Sequence, residues 1–277
     1  MPAHFAPRLH VLLASQAPIG VVLRRGPSKS VCSILWNRQT DIFELGQWLR
    51  GRIYERRSDI SPDGKHMIYF AMNGKWTSET KGSWTAISRV PWLKAVALWG
   101  KGDCWNGGGL FTSNSQYWMN EGCGHFQIHE SKKLTRDRRF KLAEYYGGEC
   151  PGVYYPRLQR DGWVVKTTLQ NDRWNTCTVF EKTHPKKGWT LRKLAHAETG
   201  SPPGKGCYWD EHELEHPKLK QRLLFPKWEW ADFDGNTLVW AEDGCLHRAP
   251  LHTKELGPAK LLFDANGMKF EALAAPY

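Results

Sequence analysis

Ser58-Asp59-Ile60-Ser61-Pro62-Asp63-Gly64-Lys65-His66-Met67-Ile68-Tyr69-Phe70-Ala71 is the stretch from which the fold is read. A short strand approaches a turn at Asp-Gly, where glycine takes a positive φ without a Cβ penalty, and a run of β-favouring apolar residues leaves it. The same signature returns as Trp230-Ala231-Asp232-Phe233-Asp234-Gly235-Asn236-Thr237-Leu238-Val239-Trp240-Ala241. A degenerate repeat of this kind, in a chain with few helix-length periodic segments, points to an all-β fold built from repeated sheets.

Working outward, strands are expected at Leu9 to Ala14, Gly20 to Arg24, Val31 to Trp36 and Ile42 to Trp48, which makes a four-stranded meander. A second unit runs from Arg52 through the Ser-Pro-Asp-Gly turn to Met67–Ala71, Trp84–Arg89 and Leu93–Trp99. A short hairpin follows, Gly107–Thr112 with Gln116–Met119. Arg160-Asp161-Gly162 leads into a strand at Trp163–Thr168, and the Asp234-Gly235 copy opens the last unit. The chain is therefore expected to be a single β-propeller over 1–277, with an irregular, loop-rich stretch at 101–152 and a loop insertion at 198–222. A blade of about 45 to 55 residues gives five blades, with six as the other count. A pair of β-sandwiches is the alternative architecture for short, regularly spaced strands.

Ser61-Pro62-Asp63-Gly64, with the Asp-Gly copies at 161–162 and 234–235, resembles the Ser-Pro-Asp-Gly class of bacterial propeller repeats, relatives of the WD repeats. Such repeats occur in translocation-associated and peptidase-associated propellers. The resemblance is closest over 52–99 and 228–263, and Ser-Pro survives in one copy only. It implies a propeller, a fold that hosts many unrelated functions.

Composition agrees with a β-rich protein: 15 Trp, 9 Tyr and 11 Phe supply bulk for sheets, and 26 Gly with 16 Pro interrupt the chain too often for long helices. A net charge of +11 favours acidic partners, among them an acidic protein, nucleic acid or an anionic glycan. Seven cysteines with no Cys-x-x-Cys pair speak against a disulfide framework and a zinc ribbon, and for reduced, mostly buried thiols. No apolar run approaches the roughly 20 residues of a membrane helix. Nor does Met1–Gly20 have the basic start of a secretory signal. A cytoplasmic protein that does not enter a membrane is expected.

Three basic clusters stand out: Arg50, Arg52, Arg56 and Arg57; Lys132, Lys133, Arg136, Arg138, Arg139 and Lys141; and Lys182, Lys186, Lys187, Arg192 and Lys193. Alternation along a strand would turn Arg50, Arg52 and Arg56 to one side. Trp36, Trp99, Trp163 and Trp240 lie in apolar strands and belong to the core. Trp76, Trp105, Trp118 and Trp174 sit beside Gly, Asn or Asp and are candidates for an exposed rim, with the loops around 101–125 the first place to look for a ligand. Trp189 and Trp174 are available for stacking.

Catalytic strings are few. His212-Glu213-Leu214-Glu215-His216 matches His-Glu-x-x-His, in which two histidines one helical turn apart hold zinc and the glutamate activates water. Pro217 and the polar flanks favour a solvated loop or short helix instead. Asp103, Glu121, Asp161 and Asp234 are carboxylates of the type a glycosidase pairs, yet acids beside glycine are ordinarily turn formers. Gly200–Gly206 is one residue short of a phosphate-binding loop, and no Gly-x-Ser-x-Gly elbow occurs. The leading expectation is a non-enzymatic scaffold without a cofactor, binding an acidic protein through Arg50, Arg52, Arg56, Trp105, Trp118, Lys132, Lys133, Arg136, Arg138, Arg139 and Trp174. The alternatives are a hydrolase, zinc-dependent through His212, His216 and Glu213 or carboxylate-based, and a polyanion-binding module.

Overall fold

The structure is a computed structural model and describes residues 5–26, 29–170, 172 and 175–277. It is all-β: the strands fall into five separate sheets, none of them closed. The chain divides into two compact units, one of His10–Arg157 with Met268–Tyr277, the other of Leu158–Gly267 with the described N-terminal residues up to Leu9.

In the first unit, β1 (Arg8–Leu13), β2 (Ile19–Arg25), β3 (Ser30–Asn37) and β4 (Ile42–Arg50) form a meander in chain order. Next come β5 (Arg52–Ile60), β6 (His66–Met72), β7 (Ser83–Arg89) and β8 (Ala95–Gly100), then the short strands β9 (Gly109–Phe111), β10 (Gln116–Met119), β11 (Phe126–His129) and β12 (Thr135–Arg136). β11 pairs with β8 and completes a five-stranded sheet, while β9 and β10 form a hairpin that β12 joins in parallel. The expected strands of the first two sheets are all present, each within about two residues of its predicted start.

Period-two alternation builds the core of this unit. Met67, Tyr69 and Ala71 turn one face of β6 to Leu12, Val21, Leu23 and Val31 of the first sheet. Ile68 turns the other face, with Ile87, Ala97 and Trp99, to Phe111, Tyr117 and Met119 of the small sheet. Each fully buried side chain of this size contributes about 1.5–3 kcal/mol.

The Ser-Pro-Asp-Gly turn joins β5 to β6 and shows why those residue types are needed. Gly64 has φ +74°, and its N–H donates to Ser61 O at 2.8 Å. The Ser61 hydroxyl accepts from the N–H groups of Lys65 and His66 (3.1 and 3.0 Å) and donates to Asp63 Oδ1 at 2.7 Å. One side chain thereby satisfies two loop donors that the sheet ladder leaves open.

Between the short strands and the second unit lies α1 (Pro151–Arg160), a helix that the sequence reading did not anticipate. Pro151 suits the first helical turn, and Val153, Tyr154 and Leu158 are buried. Asp161-Gly162 is its C-terminal cap, not a hairpin turn: Gly162, at φ +89°, donates to Gln159 O (3.2 Å) and Trp163 donates to Leu158 O (2.9 Å), the bond pair of a Schellman motif.

The second unit holds β13 (Val164–Gln170), β14 (Thr176–Thr183), β15 (Thr190–Ala197), β16 (Tyr208–His216) and β17 (Gln221–Phe225) in one sheet. β18 (Trp230–Asp234), β19 (Thr237–Glu242), β20 (Cys245–Pro250) and β21 (Lys260–Asp264) form another. Asp234 and Thr237 pair across the two-residue Gly235-Asn236 loop, with Gly235 at φ +58° as a type II′ turn requires. The loop insertion expected at 198–222 is corrected: β16 and the first two residues of β17 fall within it, joined by a 3₁₀ turn at Pro217–Leu219. Polar residues misled there because they alternate across two faces of a charged sheet. The irregular stretch at 101–152 likewise contains four short strands.

Candidate functional site: a basic cleft

The three basic clusters meet different fates. Arg50 and Arg52 are exposed, their guanidiniums over the rings of Phe270 (4.7 Å) and Tyr54 (4.2 Å). Arg56 does not share their face. The pairing of β5 with β6 shifts register between Tyr54 and Asp59, so alternation breaks down there and both Arg56 and Arg57 are buried. Arg56 lies 3.5 Å from Glu55 and 5.3 Å over the Tyr154 ring, while Arg57 donates to the carbonyls of Cys104 and Asn106 (2.7 and 2.6 Å). Burial would raise the Glu55 carboxyl, but Arg25, Arg56, Arg52 and His10 prevail and hold it at about 2. Arg56 and Arg57 are structural cations of this unit and do not share an exposed face with Arg50 and Arg52.

In the second unit Lys193 is also buried, its Nζ 2.7 Å from His212 Nε2, 3.6 Å from Asp210 Oδ2 and 4.9 Å over the Trp163 ring. Lys182 pairs with Asp232 at 2.7 Å. Trp189, a stacking candidate by sequence, is fully buried and donates to His252 O at 2.8 Å. Arg192 belongs to a row of alternating charges across all five strands of the sheet: Lys166 to Glu181 (3.3 Å), Glu181 to Arg192 (3.1 Å), Arg192 to Glu213 (2.8 Å) and Glu213 to Arg222 (2.7 Å).

That row also settles the zinc string. His212-Glu213-Leu214-Glu215-His216 lies wholly within β16, so a four-residue separation sets the two histidines about 13 Å apart along the strand, where a helix would bring them together. His212 is held by Lys193 and by Trp228 O at 3.0 Å, and His216 Nδ1 accepts from Leu219 N at 3.3 Å. Glu213 serves the ion row. No group of three His, Cys, Asp or Glu side chains among the described residues is disposed to hold a metal ion. The glycosidase carboxylates are engaged as well: Asp103 with Lys101 (2.6 Å), Glu121 with Arg136 (3.1 Å), Asp161 with Arg160 (2.9 Å) and Asp234 with Arg248 (3.0 Å). The Arg136 hydrogen bond lowers the Glu121 carboxyl, away from a general acid's range.

The middle cluster supplies the exception. Lys132 and Lys133 are exposed and line a cleft of about 1110 Å³ in the first unit, together with Lys65 and His66 after the Ser-Pro-Asp-Gly turn, Arg89 at the end of β7, and Ser131. Asp63 and Glu130 are its acids, and Asp63 is drawn off at 3.2 Å to Lys65. Arg89, Lys132 and Lys133 form no ion pair among the described residues; Arg89 rests over the Tyr277 ring at 4.5 Å. The floor is apolar, from Ile19, Leu35, Val90 and Val96. His66 turns its buried Nδ1 inward without a partner. Burial lowers its imidazole, and of the nearby charges Asp63 raises it while Arg89, Lys65 and Lys133 lower it further. It is therefore neutral at pH 7, and an anion entering the cleft would favour its protonation.

No protein-family model matches the chain and no curated protein matches it in sequence.

The remaining predicted residues lie outside the cleft lining. Arg136 is tied to Glu121, Arg138 and Arg139 are exposed, and Trp118 is half-buried against Phe140 (6.1 Å between rings). Trp105 is 57 % exposed and Trp76 is 54 % exposed. Trp174 lies outside the described residues. Trp36, Trp99, Trp163 and Trp240 are all buried. The cysteines are free, with Cys32, Cys150 and Cys177 buried, Cys245 half-buried and Cys104, Cys123 and Cys207 exposed. Among the described residues no helix is long and apolar enough to cross a membrane. Sequence reasoning missed Lys65, His66 and Arg89, which come from a turn and a strand end far apart in the chain.

Proposed function

We propose that the chain is a non-enzymatic β-propeller scaffold of the Ser-Pro-Asp-Gly, WD-like class that docks an acidic segment of a protein partner in the basic cleft. The propeller part is supported by three meander sheets of consecutive strands, by a fourth in which β5–β8 are consecutive and β11 is added at the edge, and by the Asp-Gly hairpins at Gly64 and Gly235. The binding part is carried by one observation: Lys65, Arg89, Lys132 and Lys133 converge on a single cleft with a neutral histidine, and three of the four lack a counter-charge. A carboxylate-rich segment supplies the missing charge, and the apolar floor accommodates its side-chain stems.

A labelled decaglutamate peptide titrated into the full chain tests this. Reversing two charges, Lys132→Glu with Lys133→Glu, is expected to weaken binding about tenfold, and wild-type affinity is expected to rise as pH falls toward 6 and His66 takes up a proton. Binding indifferent to the double reversal would overturn the docking site. Preferential binding of duplex DNA, with affinity falling steeply in salt, would replace the acidic protein by a polyanion.

A further inference from the structure

Exposed sheet edges invite pairing with other chains, and proteins blunt them with bulges, lysine, proline or covering segments. Here the exposed edge strands β4, β11, β13 and β21 are each blunted by a register shift against their neighbours, and the edge strand β18, which keeps its register, is buried from Trp230 to Asp232. β17 is different. It pairs with β16 through five consecutive residues, from His212 with Phe225 to His216 with Gln221, without a shift, and it contains neither lysine nor proline. Apart from Phe225 O, which accepts from Trp228 N at 3.2 Å, its backbone makes no hydrogen bond beyond that ladder among the described residues. Leu223 and Leu224 are 39 % and 63 % exposed. A cleft of about 460 Å³ runs beside the strand, lined by Trp189, Arg222, Leu223, Glu255 and Leu256 among others.

The ion row says what chemistry fits. From β13 to β17 the charges run Lys166, Glu181, Arg192, Glu213, Arg222, and the row ends on a cation whose side chain is 56 % exposed. The next strand in that alternation would place a carboxylate beside Arg222. We infer that β17 accepts an extended segment of another protein as a sixth strand, with an acidic side chain on the Arg222 face and an apolar one on the Leu223 face. Main-chain pairing supplies affinity, and the Arg222 position supplies selectivity. A second copy of this chain is a poor occupant, since a net charge of +11 opposes self-association. This inference is independent of the basic cleft.

The test uses the full chain and a capped nine-residue peptide of alternating valine and glutamate, with a lysine-for-glutamate version as control. The glutamate peptide is expected to slow amide hydrogen exchange at Arg222–Leu224 and to leave Val164–Gln170 unchanged. The lysine peptide is expected to bind at least about fivefold more weakly. Arg222→Gln should remove that discrimination while retaining pairing. The two-peptide comparison on the wild-type chain stands even if this variant fails to fold. No protection at β17, equal protection by both peptides, or protection that follows protein concentration with a doubled mass in the absence of peptide would each overturn the inference.

Discussion

The sheet β13–β17 and the cleft beside the Ser-Pro-Asp-Gly turn both gather basic side chains, and they use them in opposite ways. Across the sheet every cation of the row meets a carboxylate on the neighbouring strand, so the charges cancel in place. In the cleft Arg89, Lys132 and Lys133 form no ion pair among the described residues, although Glu130 also lines it, while Lys65 is matched by Asp63. Counting lysines and arginines along a sequence therefore says little about binding. What separates a structural cation from a binding cation is whether the fold brings an acid to it.

The contrast makes stability predictions in a definite order. The paired side is sharpest at Glu55, buried among arginines. Its folded carboxyl, at about 2, lies below the ordinary 4.5, so it contributes stability that is fully present above pH 4.5 and is lost as pH falls toward 2. Glu55→Gln should cost about 3 kcal/mol at neutral pH and flatten the acid limb of the stability curve, as measured by denaturant unfolding at a series of pH values. An unchanged acid limb would mean that the arginines do not stabilise this carboxylate. Next comes Glu213, which accepts from both Arg192 and Arg222; Glu213→Ala should cost about 2 kcal/mol by thermal or denaturant melting. A neutral result would erase the distinction between the sheet and the cleft. The smallest effect belongs to the cleft itself, where Lys132→Ala with Lys133→Ala should leave stability within about 0.5 kcal/mol. A larger loss would show these lysines to be structural.

Local features were the legible ones. The Asp-Gly turns at 63–64 and 234–235 announced hairpins because the glycine conformation is a property of a few adjacent residues, and the strands beside them followed from alternation. Helix α1 was hidden by Pro156 in its interior and by the glycines around it. The zinc-like string was misread because four-residue spacing belongs to a helix only if the segment is helical; His212, Leu214 and His216 on one face and Glu213 and Glu215 on the other is a strand pattern that was open to view. Half of the cleft was legible, as Lys132 and Lys133. Lys65, His66 and Arg89 reach it through tertiary folding from two other segments, and no local pattern marks such convergence. The burial of Arg56 and Arg57 depends on a register shift, which sequence periodicity does not encode.

Ser61-Pro62-Asp63-Gly64 is complete in one turn, whereas Asp234-Gly235 makes do without Ser-Pro. At the second hairpin a two-residue loop needs little beyond the Gly235 conformation. At the first, the Ser61 hydroxyl holds a longer loop closed, Asp63 partners Lys65, and the two residues that follow Gly64 enter the cleft wall. The same four residues thus set a turn and place Lys65 and His66 in the wall of the basic cleft. The consequence is an unequal tolerance of change: the second turn rests on its glycine, whereas the first carries two constraints at once, the closing of its own loop and the shape of the cleft wall.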